Sequence, residues 1–349
     1  MIRVGIVGTG GMARYHAEAF NSFKNCRVVA GCDVNEERLK KFAEKHKIKE
    51  TFNSVDKMLE SVKLDAVSVV TPDSSHTEVS LKVIGKGIHV LCEKPLATNE
   101  KDARKMAEAA RKKRVITGVN FSYRKSAAVE KASRMVKEGK LGRIIHVEAS
   151  YLQSWLVSKA WGDWHTSPQW LWRLSKRHRS NGTLGDIGVH IYDMVSYIAG
   201  DFREIHCVLK TFDKGVKKLG EYVFDANDSF ISTVKFKNGA LGTIHSSRWA
   251  TGHINSLRLR VYGDKGALEI DLDKSCDSMR VCIGSKNIDK ANWAEVKCPE
   301  VKTIYERFIN SVKLGKQMQP DFETGARIQA YLDKSFLSDK LKKWVKIYV

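Results

Sequence analysis

The feature that most constrains the fold is a regular alternation of two kinds of segment over about the first 120 residues. Short apolar runs are separated there by longer amphipathic stretches with helical periodicity. Strands that alternate with helices of this length build βαβ units and a doubly wound parallel sheet. The predicted strands are Ile2–Val7, Val28–Cys32, Ala66–Val70, His89–Cys92 and Val115–Val119, and the predicted helices are Ala13–Phe23, Glu36–His46, Ser75–Gly85 and Asn99–Lys112.

The pattern changes after about residue 140, where predicted strands follow one another closely. Along Ser229–Lys237 apolar and polar side chains alternate, so one face of that strand is apolar. Asn238 and Gly239 favour a hairpin turn, because both tolerate positive φ. This half is therefore predicted to hold an open, largely antiparallel sheet. Its predicted strands are Ile144–Leu152, Glu204–Phe212, Ser229–Lys237, Leu241–Thr251 and Leu257–Tyr262, and its predicted helices are Asp186–Ala199 and Phe322–Leu341.

A glycine-rich segment connects the first predicted strand to the first predicted helix. Residues Gly8–Ala13 read GTGGMA, which fits the G-x-G-x-x-A form of the dinucleotide-binding turn. Gly8 allows the tight turn, Gly10 lets the backbone approach a pyrophosphate, and the helix N-terminus attracts phosphates. Asp33 ends the second strand, where an acidic side chain accepts hydrogen bonds from the adenosine ribose and repels a 2′-phosphate. These features predict a Rossmann domain that binds NAD in preference to NADP.

Taken together, the patterns predict an α/β protein of two domains. Residues 1–120 are the predicted Rossmann domain with its doubly wound parallel sheet. Residues 121–349 are the predicted α+β domain for substrate binding and oligomerisation, because the exposed face of its open sheet needs a cover. The C-terminal helix is free to pack back on the first domain. A chain of 349 residues is long enough for two cores.

Charge and cysteine content narrow the class of protein. Sixty Lys and Arg residues against forty Asp and Glu residues give a net charge of +20. We interpret the excess as a solvated, lysine-rich surface, because no nucleic-acid-binding motif accompanies it. Seven cysteines without a CxxC pair are typical of reduced thiols in a cytoplasmic protein. No apolar run reaches the ~18 residues of a membrane span, so neither nucleic acid nor membrane is an expected partner.

Five further motifs follow one another along the chain and together span nearly the whole sequence. The motifs are Thr71-Pro72-Asp73 with His76, the E-K-P segment Glu93-Lys94-Pro95, Trp172–Lys176, the segment Leu184–His190 with Asp193, and the C-terminal stretch Pro320–Val345. In residues and in order they resemble the motifs of the Gfo/Idh/MocA oxidoreductases. One departure is the segment Ser180–Gly182, where members of the family often carry three glycines.

The resemblance implies an NAD(P)-dependent dehydrogenase or reductase. Its substrate class is a secondary hydroxyl or ketone of a sugar, sugar derivative or cyclitol, and its members form homodimers or homotetramers. The resemblance also implies a catalytic trio of Lys94, Asp186 and His190. The residues assigned to the cofactor are Gly8, Thr9, Gly10, Gly11, Met12, Asp33, Arg38, Thr71, Pro72, His76, Glu93, Lys94, Trp172 and Arg173.

The chemistry of alcohol oxidation supports the same trio. Loss of the hydroxyl proton needs a base that titrates near neutral pH, and His190 has the side chain for it. Asp186 precedes it by one helical turn, so both would lie on one helix face. Lys94 would stabilise the developing alkoxide, and whether Lys94 or His190 takes the proton is open. The alternative interpretation is an Asp186 helix cap beside a structural histidine.

Three further expectations concern these segments. A metal site built from Asp186, His190 and Asp193 is disfavoured, because hydride transfer needs no metal, so none is expected. Glu93 is expected to orient Lys94 or to line the nicotinamide pocket. A cis peptide bond before Pro95 is a further hypothesis.

The substrate side is less sharply defined. Five of the eight tryptophans lie between Trp155 and Trp172, either as a sugar-stacking loop or as a subunit interface. The basic segment 173–179, which includes Arg179, suits an anionic sugar or is simply a solvated loop. Tyr123 either contacts substrate or packs at the domain junction. The residues assigned to the substrate are Lys94, Asn120, Tyr123, Trp164, Lys176, Asp186 and His190.

Two other functions fit the dinucleotide turn. The first is a glycosidase that uses a tightly held NAD for transient oxidation without net redox change. The second is a non-catalytic dinucleotide-binding protein, which would need neither Lys94 nor His190. The dehydrogenase remains the leading hypothesis because both residues are present.

Overall fold

The computed structural model describes residues 1–178 and 180–348, and for residues 168 and 169 the backbone alone. Arg179 of the basic segment lies outside the described residues. The chain forms two compact units. Unit 1 is Met1–Ser122 with Lys302–Gln329, and unit 2 is Tyr123–Val301 with Ala330–Val349. Among the helices of the described residues, none is long and apolar enough to cross a membrane.

The strands and helices alternate in unit 1 and are grouped in unit 2. The strands are β1 Ile2–Val7, β2 Cys26–Cys32, β3 Glu50–Phe52, β4 Ala66–Val69, β5 His89–Cys92, β6 Thr117–Val119, β7 Ile144–Gln153, β8 Phe202–Lys210, β9 Lys218–Leu219, β10 Tyr222–Val223, β11 Ser229–Phe236, β12 Leu241–Ser247, β13 Asn255–Gly263, β14 Gly266–Asp271, β15 Ser278–Ile283, β16 Ala294–Lys297 and β17 Val345–Lys346. The helices are α1 Ala13–Ser22, α2 Glu36–His46, α3 Val55–Ser61, α4 Asp73–Gly85, α5 Glu100–Lys113, α6 Ala127–Lys137, α7 Pro168–Leu171, α8 Val189–Ala199, α9 Ser285–Asp289, α10 Ile304–Leu314 and α11 Phe322–Leu341.

Unit 1 contains a six-stranded sheet in the order β3-β2-β1-β4-β5-β6. All five strand pairs are parallel, which confirms the predicted doubly wound Rossmann sheet. Every residue of β4 is buried, as expected for a parallel strand with both faces covered. The edge strand β3 was not predicted, because its three residues are too few and too exposed to form an apolar run.

Residues 302–329 belong to unit 1, although the sequence pattern assigned them to the second domain. The physical reason is a set of hydrogen bonds to β6. The side-chain amide of Gln317 accepts from the Thr117 N–H at 2.9 Å and donates to the Thr117 carbonyl at 2.7 Å. The Val119 N–H donates to the Pro320 carbonyl at 3.1 Å. A side chain far along the sequence thus closes the edge of the parallel sheet.

Unit 2 contains a nine-stranded sheet in the order β16-β15-β14-β13-β7-β12-β11-β8-β17. Strands β7 and β12 pair in parallel and the other pairs are antiparallel, which confirms the largely antiparallel prediction. Along β11, Phe230, Val234 and Phe236 are buried while Ile231 is 60% exposed. The sheet therefore has one face in the core and one face toward solvent, as the alternation predicted.

One predicted helix begins later than expected. Residues Leu184–Gly188 form a π-helical turn, and the α-helix starts only at Val189. Two glycines allow this wide turn to pack closely. A Cβ on Gly185 would lie 2.3 Å from the Cβ of Asn181, and one on Gly188 would lie 3.0 Å from the Phe230 ring. Single π-helical turns of this kind often occur at functional sites.

Candidate functional site

The glycine turn of unit 1 combines close packing on one side with open space on the other. Gly8 has a φ of +88°, and a Cβ there would lie 2.7 Å from the backbone of Val70 and Thr71. A Cβ on Gly10 or Gly11 would meet no atom within 4 Å. Helix α1 starts directly after this open region, so its N-terminal amide groups face a space that a phosphate fits.

Asp33 accepts several hydrogen bonds at the end of β2. The Thr9 N–H and hydroxyl donate to it at 2.7 and 2.9 Å, and the Asn35 N–H donates at 2.9 Å. The Arg38 guanidinium adds bonds of 2.9 and 3.2 Å. Burial alone would raise the pKa of Asp33, but the hydrogen bonds from Arg38, Asn35 and Thr9 outweigh it and lower the pKa. The side chain is therefore a preorganised anionic acceptor.

His76 connects two of the segments that follow the strands of unit 1. Its Nδ1 lies 2.8 Å from the Pro95 carbonyl oxygen, and its Nε2 lies 2.9 Å from that of Thr71. Because both partners are acceptors, a neutral ring can donate to one of them only. The peptide between Lys94 and Pro95 is cis, as predicted. The T-P-x-x-x-H segment thus holds the E-K-P segment in place through its backbone.

A buried polar network surrounds Glu93. His16 is completely buried, with Nε2 2.8 Å from Glu93 Oε1 and Nδ1 2.7 Å from the Ser68 hydroxyl. The Asn120 amide donates to Glu93 Oε1 at 2.6 Å and to the Tyr305 hydroxyl at 3.2 Å. Burial would raise the pKa of Glu93, yet the bonds from His16 and Asn120 hold it at about 2. Glu93 is thus an anion whose other oxygen accepts the Lys94 N–H at 3.2 Å.

The sequence analysis missed three members of this network, His16, Ser68 and Tyr305. His16 lies on α1 within an otherwise apolar buried face, and Ser68 lies in the fully buried strand β4. A polar residue at a position that the periodicity assigns to the core was the only available signal. Because buried polar groups need partners, such a position indicates a network elsewhere in the fold.

In unit 2, Asp186 lies on the π-helical turn and contacts two arginines. The Arg248 Nη2 donates to Asp186 Oδ2 at 2.9 Å, and the Arg173 Nε lies 3.5 Å from the same oxygen. The Asp186 side chain is 27% exposed, whereas that of Arg248 is fully buried. Asp186 is therefore an ion-paired carboxylate with one accessible side. Arg248, which follows β12, was not predicted from sequence.

His190 lies beside a cluster of two tyrosines in unit 2. The Tyr123 and Tyr151 rings lie with their centroids 5.1 and 6.4 Å from the His190 ring. Their hydroxyls are 2.5 Å apart, and Tyr151 donates to the Asn255 side-chain oxygen at 2.9 Å. Burial raises the pKa of both tyrosines, so they stay protonated near neutral pH. The cluster offers His190 a fixed, partly polar surrounding.

Asp193 has a structural partner. The Arg124 guanidinium donates to both carboxylate oxygens, at 2.6, 2.9 and 3.2 Å, and both side chains are at most 3% exposed. Arg124 also stacks on the Tyr197 ring at 4.1 Å. No group of three His, Cys, Asp or Glu side chains suited to a metal is found among the described residues.

The tryptophan-rich segment forms a small core of its own in unit 2. Trp155 and Trp164 are buried, Trp161 stacks on Trp170 with centroids 5.8 Å apart, and the Trp164 Nε1 donates to the Leu156 carbonyl. These rings pack mainly against each other rather than standing free. Among the side chains of this region that face solvent are Trp172, which is 39% exposed, and Lys176.

The loop that replaces the three glycines of the family motif is held by Asn227. Its side-chain oxygen accepts the Leu184 N–H at 3.0 Å, and its amide donates to the Asn181 carbonyl at 3.0 Å. Gly182 has a φ of +66°, and a Cβ there would lie 2.4 Å from the Asn227 carbonyl oxygen. Gly182 is the position of this turn that needs positive φ, and at the first position the Ser180 hydroxyl donates to the Arg173 carbonyl at 2.6 Å and accepts the Gly182 N–H at 3.0 Å.

Known proteins share both the sequence pattern and the fold. Residues 2–121 match a model described as an oxidoreductase family with an NAD-binding Rossmann fold, and residues 129–269 match the GFO/IDH/MocA C-terminal domain. The chain is 25% identical to levoglucosan dehydrogenase of Pseudarthrobacter phenanthrenivorans, over 99% of this chain and 98% of the relative. It is 30% identical to D-glucoside 3-dehydrogenase of Escherichia coli, over 70% of each. A solved structure of levoglucosan dehydrogenase with NADH and levoglucosan has a TM-score of 0.89 at 24% identity, covering 100% of both chains.

Proposed function

The chain belongs to the Gfo/Idh/MocA family of oxidoreductases, and we propose from this premise that it oxidises or reduces a carbohydrate. The reaction is hydride transfer between NAD and a secondary hydroxyl or ketone of a sugar, sugar derivative or cyclitol. The observation that carries the proposal is that one helical segment of unit 2 carries both the partly exposed carboxylate Asp186, on the π-helical turn, and the imidazole His190, in the first turn of α8. The relatives named above are dehydrogenases of sugars, so neither the redox-neutral glycosidase nor the non-catalytic binding protein gains support from them.

NAD fits the residues of unit 1. When bound, it supplies the acceptor for a hydride at its nicotinamide ring. The open turn at Gly10 and Gly11 would take the pyrophosphate, and Asp33 would accept from the adenosine ribose. The other residues proposed to contact the cofactor are Gly8, Thr9, Met12, Arg38, Thr71, Pro72, His76, Glu93, Lys94, Trp172 and Arg173.

The roles of the catalytic residues follow from their chemistry. Lys94 would hydrogen-bond the reacting oxygen and stabilise negative charge on it. His190 would take the hydroxyl proton, either directly or from Lys94. Asp186, ion-paired by two arginines, would act as a hydrogen-bond acceptor that orients the substrate. Further substrate contacts are proposed for Asn120, Tyr123, Trp164 and Lys176.

The experiment that tests the function is a substrate panel followed at 340 nm. Purified protein with NAD is incubated with sugars, uronates, anhydrosugars, glycosides and inositols. NADH formation with at least one of them is the expected result. A protein that binds NAD but forms no NADH, while product analysis shows cleaved glycosides, would establish the glycosidase instead. Tight NAD binding with neither product would establish the binding protein.

Replacing Asp33 with serine is expected to weaken NAD binding about 10- to 100-fold. The loss corresponds to charge-assisted hydrogen bonds worth about 1.5–3 kcal/mol. NADP binding should improve at the same time, because the repulsion of a 2′-phosphate is removed and Arg38 loses its carboxylate partner. Fluorescence titration with both cofactors measures the two Kd values. Asp56→Ser, an exposed carboxylate of the same unit, is the control that should change neither.

A homodimer or homotetramer is proposed because one face of the unit 2 sheet is exposed. Ile231 is 60% and Val208 48% exposed, and the two are paired across neighbouring strands. Further across the same sheet, on β13, β7 and β14, the exposed Arg260 contacts Glu148 at 3.3 Å and Glu269 at 3.1 Å. Light scattering is expected to give at least twice the 39.4 kDa of one chain, and Ile231→Arg is expected to reduce it. A wild-type mass of one chain would contradict the assembly.

A cytoplasmic location is proposed on the state of the cysteines. All seven are free thiols, and six of them are buried. Reduced thiols are typical of the cytoplasm, where glutathione and thioredoxin prevent disulfides. The partner that the proposed reaction requires is a small carbohydrate, and neither nucleic acid nor a membrane is proposed as a partner.

A further inference from the structure

Arg248 is a buried cation that holds together the segment from Arg173 to Asp186. Its guanidinium is completely buried in unit 2. Nη1 donates to the Arg173 carbonyl at 3.1 Å, and Nη2 donates to the Asp186 carboxylate at 2.9 Å, with the Gly182 carbonyl at 3.5 Å. One side chain from the end of β12 thus contacts both ends of the loop that carries the proposed acceptor Asp186.

Arg248 packs against the tryptophan-rich segment of unit 2. The guanidinium lies 5.0 Å from the centre of the Trp155 ring, and Trp155 packs on Trp170 with centroids 5.4 Å apart. Arg173 in turn lies 5.1 Å from the Trp170 ring and 4.5 Å from the Trp172 ring. Stacked aromatic faces suit a planar guanidinium and fix its orientation. The tryptophans, for which the sequence analysis left a sugar-stacking loop and a subunit interface open, thus pack against two arginines.

Two carboxylates act on Arg248, and Asp186 is the one that forms an ion pair with it. A second carboxylate that acts on Arg248, Asp228, is fully buried and ion-paired with the ammonium of Lys214. The negative charge of Asp228 is therefore neutralised by Lys214. Burial lowers the pKa of the Arg248 guanidinium, while the Asp186 carboxylate opposes that shift. Arg173 and Arg248 form ion pairs with the Asp186 carboxylate, and the negative charge of Asp186 also raises the pKa of Tyr123 and Tyr151.

We propose that Arg248 is a positioning residue of the active site, which acts by fixing the orientation and the negative charge of the Asp186 carboxylate. The proposal rests on the proposed function, because Asp186 needs a substrate hydroxyl to orient. Arg248 itself is fully buried and does not contact the substrate. Its Nη2 bonds Asp186 Oδ2 at 2.9 Å and thereby fixes the rotation of a carboxylate that is 27% exposed. A carboxylate held by a buried guanidinium needs no rearrangement when substrate binds.

The test is a double-mutant cycle between the two residues. Asp186→Asn, Arg248→Met and the double variant are assayed on the sugar that the wild type oxidises. Arg248→Met is expected to lower kcat about 100-fold, as small misplacements of reacting groups do, with NAD binding unchanged. In the Asp186→Asn background, the same replacement should cost less than about threefold, because its partner is already gone. Additive losses in the cycle would overturn the proposal.

Two further variants separate positioning from folding. Arg248→Lys keeps the charge at the site and is expected to recover at least tenfold of the lost kcat. Arg124→Lys is the matched control, since Arg124 is equally buried and ion-paired within unit 2 but bonds Asp193. Its effect on kcat should be additive with Asp186→Asn. An Arg248→Lys variant that folds and is as slow as Arg248→Met would count against an ionic role.

Crystal structures of the variants test the proposal without an activity assay. In Arg248→Met, the Asp186 carboxylate is expected to rotate away from its wild-type position, while in Arg124→Lys it is expected to stay. An unmoved Asp186 in Arg248→Met would overturn the proposal whether or not a substrate is found. A wild type that oxidises no sugar would instead count against the proposed function alone.

Discussion

Lys94→Met is expected to lower kcat for sugar oxidation about 100- to 10,000-fold, the range for a lost acid–base or charge-stabilising group. Lys94 lies two residues after the end of the buried strand β5, and its N–H donates to the Glu93 carboxylate. Because the change removes one proposed cofactor contact but leaves the glycine turn and Asp33 untouched, the affinity for NAD should fall far less than kcat. Initial rates at 340 nm and NAD titrations measure the two quantities.

Two companion variants make the Lys94 result specific. Lys86→Met replaces an exposed lysine of the same unit and should leave kcat unchanged. Lys94→Arg keeps the positive charge but cannot give up a proton. Substantial activity in Lys94→Arg would assign the proton to His190, whereas loss equal to that of Lys94→Met would assign it to Lys94. A kcat of Lys94→Met within threefold of wild type would contradict a catalytic role.

Arg124→Met is expected to destabilise unit 2 by about 3–5 kcal/mol. The change leaves the buried Asp193 carboxylate without the cation that donates to both of its oxygens, and breaking a buried pair on one side has a cost of this size. Urea unfolding followed by tryptophan fluorescence measures the free energy of unfolding. All eight tryptophans lie in unit 2, so the signal reports that unit.

An exposed ion pair of the same unit serves as the comparison. Arg143 contacts Asp264 at 3.8 Å, and its side chain is 75% exposed. Surface pairs contribute about 0–1 kcal/mol, so Arg143→Met should shift the midpoint little. If Arg124→Met were no more destabilising than Arg143→Met, Asp193 would not depend on Arg124. Its place in the family motif would then need a functional explanation rather than a structural one.

The two units share one construction. In each unit, a fully buried imidazole or guanidinium side chain bonds a carboxylate of the proposed site. In unit 1 that carboxylate is Glu93, the residue before Lys94, and in unit 2 it is the proposed catalytic residue Asp186. His16 contacts Glu93 in unit 1, and Arg248 contacts Asp186 in unit 2. Buried partners hold the reacting groups rigidly, since their own rotamers are fixed by packing. The family motifs contain the proposed catalytic residues, whereas the side chains that position them, His16 and Arg248, lie outside the motifs.

The sequence alone determined what depends on local pattern. The alternation of segments predicted the parallel sheet and most of its strand bounds, and the period of β11 predicted which face is buried. Glycine spacing and the strand-end position of Asp33 predicted the dinucleotide turn, because backbone geometry restricts which residues fit there. The five motifs and their order along the chain were sufficient to predict the family.

Only the tertiary structure decided which side chains meet. Glu93 pairs with His16 across 77 positions and Asp186 with Arg248 across 62, and no periodicity links residues so far apart. The π-helical turn before α8 likewise escaped prediction, since it depends on glycines packed against Asn181 and Phe230. Local preferences act over a few residues, whereas burial of a charge is compensated by whichever partner the fold brings beside it.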